Sequence, residues 1–357
     1  MMTPAQIRGM LLEEAVLYLL RRTGYRTIDS KNGDPTLDSC GAGLQVRGRG
    51  SKHQIDAIAD YLIQPPLGNP QRLLGEAKCY SSTHPIGLDI TRNAVGVLKD
   101  VSEYWTPSAK PVAGRKRYHY QYAIFSSSRF SKNAQRYAFA QDIYLVPLGR
   151  STFFAGILQA LNRVAQTPAQ LPPPPDPPPP PLGIMTEGEM AQLRKSIRNW
   201  LRVGVITDDL PASVQAERDK LDGFISKCME LDYVLLAVLG GRFPILLVPR
   251  EPAAFMNIEN EVRVRIYWND RGWYLKNSIG EPLFSFDLPD ELFELYAKEG
   301  SLSEHNALNL KQEFMSSFQA LWTYGNQIRL IRFVLDDDWM RQIRRGTLNR
   351  IEPNDNE

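Results

Sequence analysis

Apolar residues recur at Ile7, Leu11, Leu12, Val16, Leu19 and Leu20, the spacing of one helical face. They predict a helix over residues 4–23, which Gly24 ends. The pattern then alternates between types. Strands are predicted over 44–46, 54–61, 72–78, 120–126 and 143–147, and helices over 91–104, 131–141 and 152–165. Gly48–Lys52 and Pro65–Pro70 are turn-forming stretches between the first strands. Helices interleaved with strands predict an α/β fold, a mixed sheet flanked by helices.

Leu171–Leu182 interrupts this order with nine prolines in twelve residues. Proline has no amide proton to donate, so the segment is expected as extended polyproline II, roughly 35–40 Å long at about 3.1 Å per residue. A spacer is favoured over a ligand for a proline-binding module. The expected organisation is therefore a first domain over 1–168, a linker over 169–183 and an α+β domain over 184–357. In the latter, Thr186 and Glu189 form a capping box before a helix bearing Met190, Leu193, Ile197 and Trp200. Another helix is expected over 212–230. Strands follow over 233–239, 243–248, 262–268 and 272–277, with a hairpin turn at Asn269–Gly272. Helices over 290–297 and 304–323, a strand over 328–335 and a terminal helix from Asp338 complete it. Asp336, Asp337 and Asp338 are read as a helix cap rather than a metal site, and Trp268 and Trp273 as a cross-strand pair.

Charge changes the picture. The formal net charge is +2, but residues 1–165 carry 21 Lys/Arg against 12 Asp/Glu. The first part is thus basic and the remainder acidic, which suits a polyphosphate partner for the former. Three scattered cysteines, Cys40, Cys79 and Cys228, show no disulfide or metal spacing and suggest a cytoplasmic setting. No apolar run predicts a membrane span or signal peptide, since Glu13 and Glu14 interrupt the first and Gly240–Arg242 the longest.

Candidate chemistry lies on two adjacent predicted strands. Glu76 and Lys78 are two residues apart and project from one face. Asp56, on the preceding strand, would bring a second carboxylate to the same level. Two carboxylates and an ammonium suit metal-assisted phosphodiester hydrolysis, because oxygen ligands hold Mg²⁺ (or Mn²⁺ in its place). The lysine can offset charge growing on the phosphate. Isolated Glu-x-Lys pairs are common on solvated strands, but small apolar neighbours (Leu73, Leu74, Ala77) place this one in a mid-sheet strand, where unpaired charge is costly.

These residues fall in an ordered set. Gly9–Glu13 with Gly24 and Tyr25, then Gln54-Ile55-Asp56, then Glu76-Ala77-Lys78, then Ala123–Ser126 with Phe130–Ala138 and Ile143–Pro147 resemble the PD-(D/E)XK nuclease superfamily, and within it the Mrr-type restriction endonuclease domain. The resemblance spans residues 5–165 and implies a restriction-endonuclease-like fold and a Mg²⁺-dependent endonuclease acting on double-stranded DNA, in antiviral defence. It implies that Asp56 and Glu76 ligate the metal, that Lys78 orients the attacking water and that Glu13 reaches the metal through a water. Glu14 points about 100° away from Glu13 on the helix. Gln54 stands where the family has glycine, and is either a phosphate contact or a polar strand end. Basic clusters at Arg47, Arg49, Lys52 and His53, and at Lys110, Arg115, Lys116 and Arg117 before Tyr118–Tyr122, are candidate backbone contacts, or else exposed loops. Neither His53 nor His119 has metal-ligand spacing. The acidic C-terminal part is expected to regulate or target the nuclease through a protein partner or ligand, and a homodimer is left open. Two other readings stand beside this one: a catalytically silent nuclease fold that binds DNA or scaffolds, and a structure-specific repair or resolvase nuclease.

Overall fold

A computed structural model describes residues 3–41, 43–64, 66–81, 83–104, 118–165, 186–207, 217–252, 257–269, 272–296, 304–324 and 327–346. The chain divides into two compact units, Met1–Asp232 and Tyr233–Glu357. The boundary thus lies some 50 residues beyond the one expected from the prolines, which themselves fall outside the described residues.

In the first unit, helix α1 (Pro4–Arg22) is opened by a Thr3–Gln6 capping box and stopped at Thr23, before Gly24 with φ 91°. The five-stranded sheet runs β1 (Tyr25–Ile28), β5 (Ala57–Tyr61), β6 (Gln71–Lys78), β7 (His119–Ser126), β8 (Ile143–Pro147). β6 is its centre, antiparallel to β5 and parallel to β7. A separate three-stranded sheet is built from β2 (Leu37–Cys40), β3 (Gly43–Arg47) and β4 (Lys52–Ile55). The strand expected over 54–61 is therefore two strands in two sheets, and the chain changes sheet at Asp56. Helices α2 (Leu88–Ser102) and α3 (Lys132–Ala140) contribute Ala94, Val95, Val101 and Ala138 to a core with Ile58, Leu74 and Ile124. Helix α1 packs on β1, β5 and β6, and against α4 (Thr152–Ala165).

Helices α5 (Glu187–Val203) and α6 (Arg218–Met229) belong to this unit too. The Thr186 capping box is present. Leu193, Ile197, Trp200 and Leu201 are buried on α5, which packs on α1 and α6, while α6 packs on α4. Tyr18 donates a hydrogen bond to Asp232 and Arg22 pairs with Asp232 at 2.7 Å. With the boundary at 232/233, the first unit carries 28 Lys/Arg against 22 Asp/Glu and the second 14 against 18. The charge asymmetry keeps its sign but shrinks.

The second unit is a closed seven-stranded barrel. Its strands are β9 (Leu235–Leu239), β10 (Phe243–Pro249), β11 (Glu261–Asn269), β12 (Gly272–Lys276), β13 (Pro282–Phe286), β14 (Ser317–Tyr324) and β15 (Gln327–Leu335). They close in the order β10-β13-β12-β11-β15-β14-β9. Helices α7 (Asp290–Tyr296), α8 (Glu304–Phe314) and α9 (Asp337–Arg344) complete the unit. The helix expected over 304–323 is corrected: it ends at Phe314, and 317–324 is a strand. Phe318, Ala320 and Trp322 are buried at period two, and pairing with β15 and β9 overrides the helical reading. Asp336 caps α9 by accepting from Trp339 N at 3.0 Å, and Trp268 stacks on Trp273 across the β11–β12 hairpin. Among the described residues, no helix is long and apolar enough to cross a membrane.

Two outcomes are expected. A fragment of residues 1–168 should be poorly soluble and quickly digested by protease, because it bares the α1 and α4 faces that α5 and α6 cover, whereas 1–232 should resist. Lys311 is 6% exposed, and burial lowers its pKa to about 8. The folded state therefore favours the neutral amine, a contribution fully present above pH 10.5 and lost as pH falls through 8. Lys311→Met should raise stability at pH 7 by on the order of 2 kcal/mol. The gain should shrink towards pH 10 in denaturant titrations.

Candidate functional site

The site forms where β4 hands over to β5. Ala57 pairs with Gly75, so Asp56, one residue earlier, lies level with Glu76 on central β6. The close pairing needs small residues: a Cβ on Gly75 would stand 3.1 Å from the Ala57 Cβ. Asp56 Oδ2 accepts from the Ala77 amide at 2.9 Å, which fixes the carboxylate against β6. Lys78 Nζ lies 2.6 Å from Glu76 Oε1, and the Tyr122 hydroxyl donates to Glu76 Oε2 at 3.1 Å. The expected convergence of Asp56, Glu76 and Lys78 is thus present, and Tyr122 joins it from β7.

Electrostatics sets the protonation of the group. Burial is the largest influence on Asp56 and raises its pKa; Glu76 adds to the rise, while Lys78 and Arg194 oppose it. For Lys78, burial favours the neutral amine, but the Glu76 contact and the Asp56 charge outweigh it and raise the pKa. Lys78 is therefore an ammonium at neutral pH. Glu13 stands on α1 near enough to Asp56 for their charges to interact, and burial lifts it to about 7 against the pull of Arg194. Arg194 Nη2 lies 2.7 Å from Glu13 Oε2.

Adjacent Glu14 has another fate. Its side chain is fully buried and receives the Arg198 Nε at 2.7 Å. One turn of α5 thus presents Arg194 and Arg198 to the two neighbouring glutamates of α1. Sequence reading missed Arg194 and Arg198, and took Tyr122 for part of a contact stretch rather than a neighbour of Glu76. The signal for the arginines was the 194, 198, 202 stripe beside the Leu193–Ile197–Leu201 face, masked by the preceding prolines.

The remaining candidates lie elsewhere. Gln54 is exposed on β4, opposite Gln45 in the small sheet. Arg49 pairs with Glu103 at 2.9 Å, and Lys52 with Asp38 at 2.9 Å. Asp38 also takes both forks of Arg47, at 2.8 and 2.6 Å. Asp100 accepts from the Gly50 and Ser51 amides and from His53. The basic loop is thus neutralised by its own neighbours. Lys110, Arg115, Lys116 and Arg117 fall outside the described residues. Tyr120 and Tyr122 are buried, so neither is an exposed loop residue or a backbone contact. Tyr118 lies under the buried Arg72, whose guanidinium stands 3.6 Å from the ring centre and pairs with Asp60 and Asp34.

Oxygen-only donors suit a divalent cation such as Mg²⁺ or Mn²⁺, which needs only one or two carboxylates and keeps its waters. Asp56 and Glu76 meet that minimum, and the Ala77 amide engages Asp56 through Oδ2. A dedicated cage is another matter: among the described residues, no group of three or more His, Cys, Asp or Glu side chains is placed to hold a metal.

Glu13 gives a pH test. Its folded pKa is raised from 4.5 to about 7. The stability it contributes is therefore present below 4.5 and lost as pH rises through 7. In metal-free protein, Glu13→Gln should flatten the pH dependence of unfolding over that window; an unchanged profile would contradict the burial of this carboxyl.

No family model matches the chain, and no curated protein does. Two solved structures are similar in part. One is a crystallised protein of unknown function, AF1548, at 14% identity and TM-score 0.36, covering 62% of this chain and 97% of that one. The other is the DNA modification-dependent restriction endonuclease AspBHI, at 14% identity and TM-score 0.23. That match covers 61% of this chain and 39% of AspBHI. The likeness to a restriction endonuclease is thus weak.

Proposed function

We propose that the first unit is a metal-dependent endonuclease of the PD-(D/E)XK kind, Mrr-like, acting on double-stranded DNA. The observation that carries this reading is the meeting of Asp56, Glu76 and Lys78 where two sheets join. Asp56 and Glu76 would hold Mg²⁺ or Mn²⁺. The chemistry supplied by the bound cation is polarisation of a phosphoryl oxygen and a lowered pKa of bound water.

The chain's own groups do the rest. The Ala77 amide holds Asp56 in one orientation, so little reorganisation is needed when substrate arrives. Lys78 remains protonated beside Glu76 and therefore donates, to the attacking water or to a phosphate oxygen, rather than accepting a proton. Tyr122 donates to the far oxygen of Glu76 and limits its rotation. Glu13 is a further carboxylate within electrostatic reach of Asp56 and would act through a bound water. Arg49, Lys52, Gln54, Lys116 and Arg117 stay candidates for backbone contact; the first two would have to exchange carboxylates for phosphates. A cytoplasmic defence role belongs to the same reading, as do a protein partner or ligand for the barrel and a homodimer.

A second reading, a silent nuclease fold that binds DNA or scaffolds, is favoured by one observation. The acids are already neutralised by Lys78 and Arg194, and among the described residues no group of three or more His, Cys, Asp or Glu side chains is placed to hold a metal.

Cleavage of plasmid, linear, branched and modified DNA separates the readings. Glu76→Ala and Lys78→Ala should each reduce the rate by at least on the order of 100-fold without moving the melting temperature by more than a few degrees. Wild-type rates in either variant would overturn the site. EDTA should abolish cleavage, and Ca²⁺ should support binding without turnover. Cleavage that survives exhaustive chelation would point to a different mechanism.

A further inference from the structure

Helix α5 brings two arginines to two adjacent glutamates, and the two pairs differ. The difference lies in the carboxylates: the Glu14 side chain has no exposed surface, while Arg198 is 20% exposed, and Arg194 Nε stands 3.8 Å from Glu14 as well. Losing Arg198 would deprive a buried carboxylate of its nearer cation, so the Arg198–Glu14 pair fastens α5 to α1. The Arg194–Glu13 pair is accessible, with side chains 22% and 17% exposed. Arg194 lines a solvent-open cavity of about 760 Å³ together with Arg198, Lys195 and Gln192. Its charge reaches both Glu13 and Asp56.

We propose that Arg194, supplied from beyond the proline-rich segment, is a phosphate-binding residue of the nuclease site. It exchanges Glu13 for a non-bridging oxygen of the substrate phosphodiester. This rests on the nuclease reading above. Charge balance supports it. Glu13, Asp56 and Glu76 carry three negative charges when ionised, and Lys78 and Arg194 two positive ones. A divalent cation on the carboxylates turns that deficit into a single positive charge, which one phosphodiester neutralises. Without Arg194 the cation-loaded site would be neutral and would exert no net pull on the phosphate. A guanidinium fork also matches two phosphate oxygens, which an ammonium cannot do. Arg194 is then repelled by the arriving cation and drawn to the arriving anion, so the switch in partner has a driving force.

The test uses the full chain and a fluorescent DNA duplex. Binding is measured by anisotropy in Ca²⁺ over a salt series, and cleavage is measured in Mg²⁺. Arg194→Ala should reduce the slope of log affinity against log salt by about one. Its kcat/KM should fall on the order of 100-fold. Arg194→Lys should recover the slope but not the rate. Lys78→Ala should lose cleavage whatever its slope, which tests the site reading separately from this one. If Arg194→Ala only lowers the melting temperature, with slope and kcat/KM unchanged, the residue is a fastener and the proposal falls. If Arg194→Ala cleaves faster than wild type, the guanidinium is a plug and the proposal also falls. Should Arg194→Ala fail to fold, wild-type kcat/KM in Arg194→Lys overturns it instead. A wild-type protein that neither binds nor cuts duplex DNA removes the nuclease reading and this proposal together.

Discussion

Four carboxylates, Glu13, Glu14, Asp56 and Glu76, are gathered largely out of water where α1 meets the central sheet, and each must be met by a proton, a cation or a hydrogen bond. Unit charges 4 Å apart interact by about 4 kcal/mol at an effective dielectric of 20, so unmatched like charges there would oppose folding. Every surrounding element bears on this constraint. β6 supplies Lys78 and the Ala77 amide, β7 supplies the Tyr122 hydroxyl, and α5 supplies Arg194 and Arg198. The two arginines explain why a helix some forty residues past the end of β8 belongs to the first unit.

The same constraint marks what could be read from sequence. Asp56, Glu76 and Lys78 were legible because strand periodicity puts residues two apart on one face, and because small apolar neighbours placed them mid-sheet. Helices α1 and α3 and strands β6, β7 and β8 were legible from apolar spacing. The break at Asp56 was not, since Lys52–Ile55 and Ala57–Tyr61 read as one alternating run although they belong to different sheets. β1, β2 and β13 are four or five residues long, and β1 and β2 are largely polar. β14 carried helix-compatible residues whose fate was decided by its barrel partners. The arginines of α5 were visible as a stripe, but no local pattern names the partner of a charge. The run of prolines argued for a boundary that packing does not respect.

Basic residues illustrate a related gap between composition and availability. Arg47, Lys52 and Lys31 converge on Asp38, and the amides of Gly50 and Ser51 converge on Asp100. A glycine-rich basic loop reads as a phosphate cradle in sequence, yet here an aspartate of α2 occupies it. The Asp100 and Asp38 carboxyls are both held below their ordinary range, His53 being the first cause for Asp100 and Arg47 for Asp38. An incoming phosphate would have to displace a carboxylate that already enjoys the same donors. That exchange is easiest where a newly arrived cation weakens the old pair.

Helical geometry turns this into a distinction between neighbours on α1. Glu13 and Glu14 are separated by about 100° around the axis, so they cannot serve the same surroundings. Glu14 faces inward, where only permanent cations make its burial tolerable, and Arg198 is the nearer of them at 2.7 Å, with Arg194 at 3.8 Å. Glu13 stands at the margin, near Asp56, with a carboxyl lifted to about 7 by burial. A group poised between its charged and neutral forms costs little to repartner, whereas a buried ion pair costs much to break. The outer arginine of α5 is therefore free to change partner only because the inner one does not. Arg198 keeps the helix docked, and the docked helix keeps Arg194 within reach of the carboxylates and of whatever anion approaches them.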